Sequence, residues 1–340
     1  MLYNLVIVGG GPAGLSAAIN GASELDRVVL IDSGRKSRTS DGVVTYERQL
    51  GGQAIGSAAI ENYLGFPEGL TGAALMGLAE KQALRLGAEI KCPEHASSLV
   101  LLPDGTKLVR TKQGNEYRTK AVILANGLSY RKLMAPGVRE LLNSGIQYGA
   151  PTFNPRQLGS CTICVVGGAN SAGQAILHLA QNQDATIKVL VRGSQGIKQT
   201  MSKYLVDRIT AAPNVEVLQG FSVVEAQGSG KLERLIVEDI NRGRSEIATE
   251  YLCIFIGAMP KVEWMPPELT RDKNGFVGTD VVLGSIRGPR LPQETSMPGV
   301  FAAGDILYGS TKRIAAGVGG GSSAVQSLHR YLAEAALPCD

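Results

Sequence analysis

The chain has 340 residues, 44% of them hydrophobic and 19% charged, with a formal net charge of +4. That length favours two hydrophobic cores over one, the composition argues against a disordered chain, and so small a charge gives no electrostatic footprint for nucleic acid. No apolar run approaches the roughly 18 residues needed to span a bilayer, and five cysteines at irregular spacing argue against a secreted disulfide framework and for a reducing, cytoplasmic setting.

The sequence opens on a strand, "YNLVIVGG", from which no secretory or transit peptide is expected. "YNLVIVGGGPAGLSAAINGA" reads as a β-branched strand, a glycine turn and an Ala/Leu-rich helix, and "RVVLID" follows as the next strand. The turn, Gly9-Gly10-Gly11-Pro12-Ala13-Gly14, fits GxGxxG. Gly9 permits the tight turn, Gly11 lets the backbone approach a pyrophosphate, and Gly14 lets helix and strand pack closely. The helix N-terminus then faces the phosphates with its partial positive charge. Asp32 ends the following strand, where a carboxylate can accept from a ribose hydroxyl. The basic run Arg35-Lys36-Ser37-Arg38 reads as a solvated loop.

The pattern repeats in the middle of the chain. "CTICVVGGANSAGQAILHLA" is again strand, glycine turn and helix, followed by the strand "TIKVLVRG". Two β-α-β units predict an α/β protein of two Rossmann-like, doubly wound dinucleotide-binding domains. The strands "KAVILANG" and "YLCIFIGAMP" look like paired crossing points, so the second domain, 129–256, is expected as an insertion in a discontinuous first domain, 1–128 plus 257–340. After the return crossing, "GVFAAGDI" is a buried strand ending on Asp305, and "GGGSSAVQSLHRYLAEAAL" closes the chain as a helix. A carboxylate at the end of a buried strand is costly unless it is hydrogen-bonded, and a ribitol hydroxyl of FAD would satisfy it.

The second turn, Gly167-Gly168-Ala169-Asn170-Ser171-Ala172, fits the fingerprint with one defect: Ala169 stands where the backbone must approach a pyrophosphate. Arg192 ends the next strand, a position from which an arginine receives the 2′-phosphate of NADP, and Lys198 can supply a second charge. This favours NADPH. Another dinucleotide, a second FAD, or no nucleotide at all remain open.

"GGGPAG", "LGGQA" with "IENYLGFPEGLTG", "ILANG", "VVGGANSA" and "GVFAAGD" recur in the order found in low-molecular-weight thioredoxin reductases, and the chain resembles that family over nearly its whole length. The resemblance implies FAD bound by Gly9, Gly11, Gly14, Asp32, Gly52, Gln53, Asn62 and Asp305, with Pro12, Ala13, Gly127 and Gly304 of the same motifs beside it. It also implies a homodimer and two domains that rotate against each other. Where the family carries an Arg-Gln-Ala stretch against the flavin, this chain has Lys312-Arg313-Ile314, so Arg313 and Ile314 enter the FAD set with altered chemistry.

The family's dithiol is missing from its usual place. The segment that should carry it reads Ala150-Pro151-Thr152-Phe153, followed by Asn154 where the family has an acid. Cys161 and Cys164 form a CxxC, but on a strand residues three apart point to opposite faces. Their Cα atoms would then be about 10 Å apart at ~3.3 Å per residue, beyond the roughly 7 Å a disulfide allows. The leading expectation is therefore an FAD-dependent oxidoreductase without that dithiol, fed by NADPH and delivering electrons to a small oxidant or a redox protein such as ferredoxin. The alternatives are a disulfide oxidoreductase using Cys161/Cys164 or Cys339 on a thioredoxin-like partner, a ferredoxin-linked flavoenzyme independent of pyridine nucleotide, and a non-catalytic flavin-binding sensor. No His/Cys or Asp/Glu cluster has metal-ligand spacing.

Overall fold

In a computed structural model of the chain, residues 1–38, 44–57, 60, 62–149, 154–192, 196–279 and 291–335 are described. The chain forms two compact units, Met1–Ser129 with Met259–Asp340, and Tyr130–Ala258. The first begins β1 (Leu2–Val8), α1 (Pro12–Glu24), β2 (Val28–Ile31), β3 (Arg35–Arg38), β4 (Val44–Glu47), α2 (Gly72–Arg85) and β5 (Glu89–Lys91). It continues through β6 (Ala96–Leu101), β7 (Lys107–Thr111) and β8 (Glu116–Leu124) to β9 (Ser129–Tyr130) at the crossing. The second unit runs β10 (Ile146–Tyr148), β11 (Thr162–Val166), α3 (Asn170–Leu179), β12 (Thr186–Val191), α4 (Lys203–Ala211), β13 (Val215–Gln219), β14 (Phe221–Gln227), β15 (Arg234–Asp239), β16 (Gly243–Ala248) and β17 (Tyr251–Ile254). The return crossing is β18 (Ala258–Met259), and the first unit resumes with β19 (Val300–Ala302) and α5 (Ile314–Ala335).

In the first unit β1 lies between β2 and β8 in parallel, β5 extends the sheet beyond β2, and β19 pairs in parallel with the last residues of β8. The carboxyl ends of β2, β1, β8 and β19 therefore stand side by side, which is where an open α/β sheet binds its ligand. Leu5, Ile7, Leu30 and Ile123 have no exposed surface and pack under α1 and α5. Val6, Val29, Val122 and Val300 fill the other face. Both faces are covered, so these strands read as unbroken apolar runs in the sequence. The second unit repeats the design in the parallel order β10-β17-β11-β12-β13, with β14, β15 and β16 as a separate antiparallel sheet.

Two expectations change. The basic run Arg35–Arg38 is not a loop but β3, paired antiparallel with β4. The closing helix starts at Ile314, five residues before the expected glycine run. Glycine ordinarily weakens a helix; here a β-carbon at Gly321 would overlap the Ala13 carbonyl, and Gly317 lies against the start of α1. The glycines let α5 seat directly on α1, and that packing outweighs their poor helix propensity. Among the described residues no helix is long and apolar enough to cross a membrane, and no cluster of His, Cys, Asp or Glu can hold a metal ion.

Candidate dinucleotide sites

At the end of β1, Gly9 adopts φ 112°, and a side chain there would overlap the backbone of Ala125 and Asn126. Gly14 is excluded from carrying a side chain by the Gly9 carbonyl. Gly11 differs from both. It sits in extended backbone as the N-cap of α1 (φ −76°, ψ −173°), and among the described residues no atom lies within 4 Å of where its β-carbon would be. Its glycine identity therefore keeps open space in front of the helix rather than enabling a turn. Pro12 starts α1 without needing an N–H donor, and Ala13 is buried beneath it. Among the described residues no side chain caps α1, whereas α2 is capped by Thr71, whose hydroxyl accepts from the Ala74 N–H at 3.1 Å. The first-turn amides of α1 face that open space and can bind an anion.

Asp32 sits at one side of this opening. Its Oδ2 accepts from the Gly10 N–H at 2.6 Å and its Oδ1 from the Gly34 N–H at 2.7 Å. Burial raises its pKa, and those two N–H groups oppose the rise. Each oxygen keeps a lone pair for a ribose hydroxyl. Gly52 lies against Gly11, while the Gln53 side chain is tied back, donating to the Leu128 carbonyl at 2.8 Å. Asn62 is exposed on the loop between Ile60 and Leu70, and a β-carbon at Gly127 would meet no atom of the described residues within 4 Å.

Gly304 packs against Ala13, bringing Asp305 to the other side of the opening. Burial raises the Asp305 pKa, opposed by the Lys312 charge and by Ser310, whose hydroxyl donates to Oδ1 over a long 3.4 Å. Arg313 is exposed, its carbonyl accepts from the Gly317 N–H, and Ile314 is the first residue of α5. The structure thus gathers Gly9–Gly14, Asp32, Gly52 and Gly304–Asp305 around one opening. Sequence reading missed Ser310, and also Asn126, whose Nδ2 donates to the Lys261 carbonyl while Oδ1 is buried without a partner among the described residues. A polar residue interrupting the apolar run "AVILANG" was the available signal for Asn126.

The second turn reproduces the first. Gly167 (φ 134°) meets the Phe255 carbonyl as Gly9 meets Ala125. Ala169 caps α3 in the same extended backbone as Gly11 (φ −94°, ψ 176°), again with no side-chain cap among the described residues. Its methyl group therefore costs no backbone strain, only space. Asn170 begins α3 with its Oδ1 accepting from the Ser202 N–H; Ser171 is exposed and Ala172 fully buried. Arg192 and Lys198 are both exposed; Gly193 lies outside the described residues. A groove of about 440 Å³ between α3 and α4 shares only Asn170 with these predicted residues.

Cys161 and Cys164 are free thiols. Cys161 packs with the core on one face of the β11 sheet and Cys164 with the core on the other. Burial pushes the Cys164 thiol up to about 12 and raises Cys161 as well. The thiolate is the reactive form, so both are poor nucleophiles. Cys253 is buried, pushed up to about 11, and accepts from Gln147 Nε2 at 3.4 Å. Asn154 accepts from the Arg156 N–H as cap of a short 3₁₀ turn. Ala150–Phe153 and Cys339 lie outside the described residues.

The family model described as pyridine nucleotide-disulphide oxidoreductase matches residues 3–322. The chain belongs to this family. Like others of the family it is an FAD-dependent oxidoreductase built from two Rossmann-like domains. It is 31% identical to a thioredoxin reductase of Streptomyces clavuligerus over 332 residues, 97% of this chain and 94% of the relative. It is also 31% identical to a thioredoxin reductase of Yarrowia lipolytica over 340 residues, 97% of this chain and 98% of that relative. The crystal structure of Lactococcus lactis thioredoxin reductase superposes with a TM-score of 0.73 at 26% identity, covering 98% of this chain and 99% of that one. The first opening fits the flavin dinucleotide this family uses: uncapped amides and bare space at Gly11 for the diphosphate, and two part-buried carboxylates with spare lone pairs for hydroxyls.

Proposed function

We propose that the first unit holds FAD, the second holds NADPH, and electrons leave the flavin for an external acceptor without passing through a Cys161–Cys164 dithiol. Bound FAD supplies the hydride- and electron-transfer chemistry that links a pyridine nucleotide to that acceptor. The chain's own part is to hold and orient it. The N–H groups of Gly11 and Ala13, on either side of Pro12, take the diphosphate, Asp32 takes the ribose at one end, and Asp305 takes the ribityl hydroxyls at the other. The NADPH reading is supported by the uncapped start of α3 and by the exposed cations Arg192 and Lys198.

The observation that carries the dithiol-free reading is the placement of Cys161 and Cys164 on opposite faces of one sheet, both with raised pKa. The test is an NADPH assay of the FAD-loaded protein with thioredoxin on one side and a quinone on the other. Quinone turnover with no thioredoxin reduction is expected; steady NADPH-driven reduction of thioredoxin overturns the reading. The relatives named thioredoxin reductase favour the second reading, a disulfide reductase. It would require thiols other than this pair. The working form is taken to be a homodimer, as the resemblance implies, and light scattering of the holoprotein tests it.

A further inference from the structure

The chain after β12 returns over the second glycine turn and is tied to it twice. The Thr200 hydroxyl donates to the Gly168 carbonyl at 2.8 Å, and the Ser202 N–H donates to Asn170 Oδ1 at 2.7 Å. These ties are not needed to start α3, whose first turn closes on its own backbone, the Gly173 N–H donating to the Ala169 carbonyl at 3.0 Å.

Between β12 and the ties lies the 3₁₀ turn Gly196–Gln199. Gly196 enters it in the left-handed region at φ 63°, where a β-carbon would press on the Gln219 amide. Ile197 and Met201 are buried, and the Met201 N–H donates to the Ile197 carbonyl at 3.1 Å. Met201 fills the space a side chain at Gly173 would need, with its sulfur 2.7 Å from that β-carbon position. Residues 196–202 therefore form an arch anchored in the core by two apolar side chains and to the glycine turn by two hydrogen bonds. Lys198 is the cation left exposed on the arch, and Arg192 is exposed at the end of β12. Neither has a carboxylate partner among the described residues.

We propose that Asn170 and Thr200 are positioning residues for nucleotide specificity. They pin the arch to the turn that faces the diphosphate, and so hold Lys198 by the end of β12 as the second cation, with Arg192, of a seat for a 2′-phosphate. A cation on a loose loop must be ordered before its contact contributes to affinity, and a pinned backbone removes most of that cost. The inference rests on the proposal that the second site takes NADPH.

The test uses the oxidised, FAD-loaded protein and calorimetric binding of NADP⁺ and NAD⁺, which differ only in the 2′-phosphate and need no turnover. Wild type is expected to prefer NADP⁺. Asn170→Ala and Thr200→Val are expected to weaken NADP⁺ about tenfold and NAD⁺ less than about twofold, in the range of coupled contacts. Thr200→Ser, which keeps the hydroxyl, should restore NADP⁺ binding. Lys198→Gln should weaken NADP⁺ in wild type and add little in Asn170→Ala. Equal losses for both nucleotides overturn the proposal, because Asn170 and Thr200 would then act on the shared part of the ligand. Unchanged binding in both variants, with a loss in Lys198→Gln, overturns it as well. Absence of any NADP⁺ preference in wild type overturns the NADPH reading instead.

Discussion

Gly11→Ala separates binding from folding at the first site. The β-carbon would meet no atom of the described residues within 4 Å, and φ −76° with ψ −173° suits any residue. Alanine reduces the freedom of the unfolded chain, worth about 0.4–1 kcal/mol, and is a poorer N-cap than glycine by a similar ~0.5–1 kcal/mol. The two offset, so the melting temperature of the apoprotein should move by no more than about 2–4 °C. The methyl group occupies the space through which a diphosphate must approach the first-turn amides. Losing one charge-assisted hydrogen bond there costs about 1.5–3 kcal/mol, or roughly 10- to 150-fold in the FAD dissociation constant. The assay is FAD titration of apoprotein by flavin fluorescence, beside thermal unfolding of the same sample. Unchanged FAD affinity would refute the assignment of this opening to the diphosphate, and a collapse in melting temperature would refute the reading of Gly11 as open space.

The reciprocal change, Ala169→Gly, should tighten NADP⁺ binding severalfold in calorimetry, since the methyl group obstructs space without holding the backbone. Cys161→Ser should leave NADPH–quinone turnover unchanged, and Cys164→Ala should do the same while lowering stability by about 1 kcal/mol as a small core truncation, read from urea midpoints. Lys107 is fully buried, donates to the Lys120 carbonyl at 2.9 Å and the Tyr331 hydroxyl at 2.8 Å, and is pushed down to about 8 by burial, with Glu294 opposing. Between about 8 and its unfolded value of 10.5 the unfolded chain holds a proton the folded chain lacks. Stability from this group therefore rises with pH across that window. Lys107→Met should remove that rise, seen as the wild-type-minus-variant difference in urea midpoint between pH 7.5 and 10. Gly321→Ala should cost about 2 kcal/mol or more, because the new methyl overlaps the Ala13 carbonyl and forces α5 off α1; FAD retention on a desalting column should fall with it.

Much of the fold is legible because its strands are covered on both faces. "LVIV", "VVLI", "AVIL" and "ICVV" are continuous apolar runs, and each glycine turn follows one of them directly. The opposed faces of Cys161 and Cys164 follow from the two-residue period of a strand alone. What escapes the sequence is set by contacts between distant segments. The start of α5 is obscured by glycines whose role emerges only against α1. Asp32 reads as a free acceptor, yet the folded turn brings the Gly10 and Gly34 N–H groups onto it. Ser202 meets Asn170 across 32 residues, and no local pattern encodes that meeting.

The most direct measurement is an anaerobic reductive titration of the FAD-loaded protein with NADPH, counting equivalents to complete bleaching of the flavin band. A flavin alone takes up two electrons, and a flavin with a redox-active disulfide takes up four. The proposed function predicts complete bleaching at one NADPH per flavin, with the thiol count unchanged before and after. A requirement for two equivalents, with two new thiols appearing, would contradict it and make this chain a disulfide reductase.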